Sequence, residues 1–402
     1  MNRLVVWITL PSGERVRCGE IVCSDPDSRG KLAGAFRYTP QWINHPRRFA
    51  LDPNELPLSN DEFLCDRPRG IFPVFEDALP DDWGRRFLIR KANLGRGEQT
   101  LVNLLKALNG NALGALSFFP EDYQRQDTSG ATLLDLENLV DAALAYEAGK
   151  QLGDTDLHLL FAAASSPGGA RPKVVVGTDD GDQWIAKFPS AKDNMAMVPI
   201  EAATMALAGL AGMKVPDFRV QRCGKHNVLL VKRFDISDDG GRRHMISYQT
   251  LMQATGYYAL GYMDLFEPLR RISSKPSTDI PALYRQMVFN ALIGNTDDHL
   301  KNFCLLHDDS GFYLSPAYDL LPDTADRREH VLHFTPNFHF PGIKHLIQLG
   351  QMAGIPSPKK IVDQVVAVVS NWQSAFHHWH VPEQDIQRLA SSINNRLQKK
   401  TV

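Results

Sequence analysis

The 402-residue sequence has no surplus of either charge: 44 lysines and arginines face 46 aspartates and glutamates, for a formal net charge of -2. That balance excludes a whole-surface attraction to nucleic acid or to an anionic membrane, leaving only local or partner-borne contacts. Cysteine is scarce and unpatterned. Cys18, Cys23, Cys65, Cys223 and Cys304 are odd in number and lack metal-ligand spacing, so the expectation is buried thiols, no structural disulfide and a reducing cytoplasm. No apolar run is long enough to cross a membrane: residues 5–10 stop at Pro11-Ser12-Gly13, and residues 195–213 contain Pro199 and Glu201. Internal repeats and low-complexity tracts are also missing. What is present is core-forming material, with 43% hydrophobic and 22% charged residues, enough for two or three packed units at this length.

Short alternating runs at 4–10, 15–23 and 33–38, cut by turn residues, predict a β-rich start. From 75 to 108 the pattern becomes helical, with Asp81 or Asp82 able to cap a segment over 83–90 and a second helix opening near Gln99. Polar residues 121–130 read as a surface loop. A Gly-rich segment from 165 then leads into strands at 174–176 and 184–188, a helix opening near Pro199 and ending near Gly212, and strands at 218–222 and 228–234. After 245 the chain reads as mainly helical, with one hairpin near 303–314. The expected architecture is α+β and bilobal. An added N-terminal unit covers 1–150, a small β-rich lobe 151–235 and a helical large lobe 236–402, with a cleft between the lobes.

The chemistry concentrates in Asn295-Thr296-Asp297-Asp298-His299-Leu300-Lys301-Asn302. Phosphoryl transfer to a hydroxyl needs a carboxylate to orient and deprotonate the acceptor and a nearby amide oxygen on the metal, and Asp297 and Asn302 have the Asp-x4-Asn spacing of kinase catalytic loops. The preceding helix is expected to stop at Gly294. The hairpin after Asn302 returns the chain to Ser315-Pro316-Ala317-Tyr318-Asp319, so Asp319 can supply a second oxygen ligand to a magnesium ion bridging ATP phosphates.

In Trp184-Ile185-Ala186-Lys187-Phe188, strand alternation turns Lys187 with Ile185 toward the cleft, where it can neutralise phosphate charge. Glu201 on the following helix is its natural ion-pair partner; a solvated strand lysine and an ordinary first-turn glutamate are the plainer readings of the two. Backbone amides of Ser165-Ser166-Pro167-Gly168-Gly169-Ala170-Arg171-Pro172-Lys173 can approach phosphates, although the segment matches neither the Walker motif nor Gly-x-Gly-x-x-Gly. Lys232-Arg233-Phe234 stands where an adenine-holding hinge belongs, with Phe234 as core the alternative. The histidines at 330, 333, 339, 345, 377, 378 and 380 lack a paired acidic or thiol ligand set for zinc. Arg270-Arg271 with Lys275, and Arg396 with Lys399-Lys400, read as solvated faces.

Together, residues 166–173, Ile185-Ala186-Lys187, Lys232-Arg233-Phe234-Asp235, residues 294–302 and Tyr318-Asp319 resemble the HipA-like kinase toxins of bacterial toxin–antitoxin systems. Phe75-Glu76-Asp77-Ala78-Leu79-Pro80-Asp81 resembles that family's leucine-proline element, so the likeness covers nearly the whole chain. It implies a protein-kinase-like fold with an added N-terminal domain. It implies Asp297 as catalytic base, His299, Asn302 and Tyr318 beside the nucleotide, Asn302 and Asp319 on magnesium, and Lys187 on the ATP phosphates with Gly168, Gly169, Ala170, Arg171 and Lys173. Ser166 falls on the serine the family autophosphorylates, where nearly two added negative charges would repel the loop from ATP; Ser165 is the alternative. Arg171-Pro172 and Lys232 depart from the residues usual at those positions. The implied partners are a small helix-turn-helix antitoxin that supplies most of the DNA affinity, and a protein substrate such as an aminoacyl-tRNA synthetase. A catalytically silent corepressor and a small-molecule kinase of related fold are the competing readings.

Overall fold

The structure is a computed structural model and describes residues 2–398 except 81, 123–130, 151, 154, 157–158, 161–170, 257–258, 326 and 335–338. The N-terminal part is an antiparallel sheet of β1 (Asn2–Thr9), β2 (Arg15–Cys23), β3 (Gly34–Tyr38), β4 (Glu62–Cys65) and β5 (Leu116–Phe119), in the order β4-β3-β2-β1-β5. Alternation puts Val16, Cys18, Ile21 and Cys23 of β2 in the core, with a register shift between Val6 and Trp7 on β1. Gly19 is required by packing: a Cβ there would lie 2.2 Å from the Phe36 ring. The helices between β4 and β5 include α1 (Asp82–Lys91) and α2 (Leu101–Ala107).

A second sheet holds β6 (Lys173–Gly177), β7 (Gln183–Lys187), β8 (Phe218–Cys223) and β9 (His226–Lys232), in the order β6-β7-β9-β8. α3 (Leu136–Glu147) covers one face and α4 (Met197–Leu210) the other. That explains the unbroken apolar run of β9: Val228 and Leu230 pack with Leu139, Val140 and Ala143 of α3, while Leu229 and Val231 pack with Val198, Ala202 and Met205 of α4. Trp83 and Phe87 of α1 join the α3 side. By packing, α3 belongs with the small lobe although it precedes residue 150.

The last part is helical around a three-stranded sheet of β10 (His244–Ser247), β11 (Cys304–Asp308) and β12 (Gly311–Leu314). Its helices are α5 (Phe266–Ile272), α6 (Pro276–Ile293), α7 (Ile343–Met352), α8 (Pro358–Val369), α9 (Trp372–His378) and α10 (Glu383–Gln398). α6 runs through the middle of this lobe, with residues 286–293 all buried. It ends where the sequence says it should: Gly294 adopts φ +79°, and its N–H bonds back to Asn290 O. The hairpin of β11 and β12 has a third strand, β10, that sequence pattern missed because four residues carry too little alternation to read. The five cysteines are all buried and free.

Candidate active site

β7 turns Ala186 into the α3-side core and its neighbour Lys187 to the opposite side. There the Lys187 ammonium contacts the Glu201 carboxylate of α4 and lies 2.6 Å from Asp319 Oδ1. Burial opposes the lysine's charge, but Asp319 and then Glu201 outweigh it and hold its pKa above the ordinary value. Asp319 is shifted the other way. Burial would raise its carboxyl, yet Lys187, Lys173 and His299 hold it well below the usual carboxylate range. The Asp319 backbone sits at φ +56°, a region that aspartate tolerates better than most side chains but that still costs energy. The turn is held from both sides: Ala317 N–H donates to Lys214 O at 2.8 Å, and Tyr318 Oη donates to Lys301 O at 2.7 Å.

Beyond Gly294 the adjacent carboxylates Asp297 and Asp298 have opposite surroundings. Asp297 is exposed, its side chain 63% accessible and 3.6 Å from Arg327. Asp298 is fully buried. It accepts from Tyr262 Oη at 2.6 Å, His330 Nδ1 at 2.8 Å, and the N–H groups of Val331 at 2.9 Å and Leu332 at 3.3 Å. Arg396 Nη1 stands 3.2 Å from His330 Nε2; arginine can only donate, so Nε2 accepts and Nδ1–H donates to Asp298. Asp298 thereby pins the loop from below and leaves Asp297 facing outward. Asn302 is buried and donates its Nδ2 to Asp297 O at 2.9 Å, so its amide oxygen is the atom left to act as an acceptor.

An open cleft, about 1020 Å³ with the solvent it opens onto, is lined by Lys173, Ile185, Lys187, Phe234, Asn302, Tyr318 and Asp319. The rings of Phe234 and Tyr318 stand 5.4 Å apart. Asn302 and Asp319 offer amide and carboxylate oxygens, hard donors that suit magnesium, an ion that takes one or two protein ligands and completes its shell with phosphates and water. A cluster of three or more His, Cys, Asp or Glu side chains fit to hold a metal without phosphates is absent among the described residues.

Not every residue singled out in the sequence reaches this cleft. Lys232 pairs with Asp182 at 2.6 Å and Arg171 with Asp193 at 2.7 Å, and neither lines it. Asp297 and His299 also lie outside its lining, Asp297 at the surface. Ser166, Gly168, Gly169 and Ala170 lie outside the described residues. Arg396 is buried, a correction to its reading as part of a solvated basic face; the cause is its contact with the end of α6 and with His330.

Two features escaped the sequence. Arg233 and Asp235 form a buried bidentate pair, at 3.0 and 2.5 Å, that also holds Ala112 O and Gly114 N–H. The N-terminal part also supplies a wall of the cleft through Glu76, Asp77, Leu79 and Leu113. Asp77 accepts from Ser247 N–H and Oγ, each at 2.8 Å, and burial, only partly offset by these bonds, pushes its carboxyl up to about 6. No local pattern could show this, because the partner strand lies 170 residues away.

Residues 17–119 match the family model of the HipA N-terminal domain, and residues 165–372 that of the HipA-like C-terminal domain. The putative kinase Y4mE of Sinorhizobium fredii is 31% identical over 324 residues, covering 72% of each chain. The serine/threonine-protein kinase toxin HipA of Shewanella oneidensis is 24% identical over 322 residues, covering 71% of this chain and 69% of that one. In fold, the chain is similar to the solved complex of Shewanella oneidensis HipA, HipB and operator DNA, with TM-score 0.69 and 18% identity over 97% of this chain and 96% of the other. No described helix is long and apolar enough to cross a membrane. With both of its domain models matched in order and the kinase-like α+β fold in place, the chain belongs to the HipA family.

Proposed function

We propose that this chain is an ATP-dependent serine/threonine protein kinase and a HipA-like toxin. The observation that carries the reading is Lys187 bridged between Glu201 and Asp319, with Asn302 on the same cleft. Three distant stretches of sequence meet there in the arrangement phosphoryl transfer needs. Bound ATP with magnesium supplies the γ-phosphoryl group and neutralises its charge. Lys187 and Lys173 hold the phosphates, Asn302 and Asp319 hold the metal, and Phe234 and Tyr318 border the base. Asp297, exposed at the surface, orients a protein hydroxyl and takes its proton as the oxygen bonds to the γ-phosphorus and ADP leaves. A translation component such as an aminoacyl-tRNA synthetase is the substrate class that family membership suggests.

Restraint comes in two forms. Phosphate on Ser166 repels the Gly-rich segment from the nucleotide, and a HipB-like helix-turn-helix antitoxin holds the kinase and carries most of the DNA affinity. Support for the partner is the likeness to a HipA–HipB–DNA complex, together with a net charge of -2 that gives the chain little DNA affinity by itself. Five buried, free cysteines support a reducing cytoplasm as the setting. Mass spectrometry of a lysate incubated with the protein, magnesium and γ-labelled ATP tests the reading. Label on protein serine or threonine supports it; label confined to small metabolites overturns it.

A further inference from the structure

We propose that α10 is a strut that positions two catalytic elements at once, holding the helix that carries Glu201 through Asp385 and the loop that carries Asp297 through Arg396. This assignment rests on the kinase reading above. Asp385 and Arg396 are 11 positions apart in α10, about three turns, so both project from one face. Ile386, Leu389 and Ile393 bury that side of the helix between them.

At the first end, Asp385 is 1% exposed and its Oδ2 accepts from Ala196 N–H at 2.8 Å. Ala196 is the N-cap of α4, and its own N–H, the one Asp385 holds, belongs to the N–H groups that find no partner inside the helix. An acceptor from outside is therefore needed, and a carboxylate also suits the positive end of the helix dipole. Asp385 Oδ1 is buried without a hydrogen-bond partner among the described residues, so this contact is the one its side chain makes there. One turn further on, Arg388 donates to Asn194 O at 2.8 Å, a second tie to the same approach. Glu201 follows within the next turn and a half of α4, so the N-terminus of α4 sets where Glu201 meets Lys187.

At the other end, Arg396 Nη1 donates to Ala291 O at 3.1 Å, one of the carbonyls left open by the end of α6. The same nitrogen reaches His330 Nε2, whose other face holds Asp298. The guanidinium also presses on the residue where α6 gives way to the catalytic loop: a Cβ on Gly294 would lie 2.9 Å from Arg396 Nε. Neither Asp385 nor Arg396 lines the cleft. Both are positioning residues, one for the phosphate-binding lysine and one for the catalytic loop.

The two ends make separable predictions in the full chain. Asp385→Ala raises KM for ATP about tenfold, the loss of one charge-assisted hydrogen bond, and Asp385→Asn, which keeps an acceptor, restores it to within about twofold. Arg396→Gln lowers kcat about tenfold with the Kd for ATP unchanged. Amide hydrogen exchange reads the same contacts without turnover. Asp385→Ala should speed exchange in the first turn of α4, and Arg396→Gln in residues 294–302, each sparing the other segment. Wild-type kinetics and exchange in both variants, or a uniform rise in exchange across the chain, overturn the strut. A wild-type protein without phosphoryl transfer overturns the kinase reading instead, while the exchange pattern still decides the strut.

Discussion

On one wall of the cleft, Asp319 lies against Lys187 and is held ionised; on the wall lent by the N-terminal part, half-buried Asp77 lies against Ser247 and its carboxyl is pushed up to about 6. Both line one cavity. The difference lies in their partners: a cation in direct contact more than offsets desolvation for Asp319, whereas the Ser247 and Thr250 donors and the more remote charge of Lys301 do not for Asp77. One wall is thus built for charge, the other for a group that can shed it.

The contrast is broken most severely at Lys187. Lys187→Met leaves Glu201 and Asp319 without their shared cation, and phosphoryl transfer should fall at least about 10³-fold, measured as labelled acceptor per minute at saturating ATP. Next is the buried support of the loop. Asp298→Ala removes the acceptor from Tyr262, His330 and two backbone N–H groups and should cost about 3 kcal/mol of stability, because those donors stay buried. Denaturant unfolding checks the value.

Asp77 sharpens the comparison through pH. Its folded pKa lies above the unfolded aspartate value, so its contribution to stability is complete below about pH 4 and lost as pH rises through about 6. The stability of the wild type relative to Asp77→Asn should therefore fall by about 2 kcal/mol between pH 4 and pH 7 and then level off. Asp319 runs the opposite way: its depressed pKa adds stability above the unfolded value that is lost as pH falls below it. The smallest effect belongs to Lys232, whose exposed pair with Asp182 lies off the cleft. Lys232→Ala should leave KM for ATP within about twofold of wild type and change stability by less than about 0.5 kcal/mol.

The placement of the candidate site residues was legible where it depends on short spacing or strand parity. Asp-x4-Asn names the loop, alternation sends Lys187 away from Ala186, and a glycine marks the end of α6. Long-range support was not. Nothing local in the sequence sets Asp298 apart from Asp297; residues 262 and 330 bury it only in the fold. Arg396 looks solvated next to two lysines until α10 packs it against Gly294. The fold shows the same division: the hairpins of the two small sheets follow from turn residues, while the addition of β10 to β11 depends on a partner about sixty residues away. The packing of α3 on β9 likewise comes from tertiary contact. Lys232 and Arg171 read as nucleotide contacts by position along the chain; in the fold they pair with Asp182 and Asp193.

The account turns on the exposed carboxylate that the buried one holds in place. Purified protein incubated with magnesium and γ-labelled ATP should transfer phosphate to a protein hydroxyl, and Asp297→Asn, which removes a surface charge while leaving the Asp298 support intact, should lose that transfer by about 10²-fold or more. Equal labelling by the two proteins would contradict the assignment of Asp297 as the base.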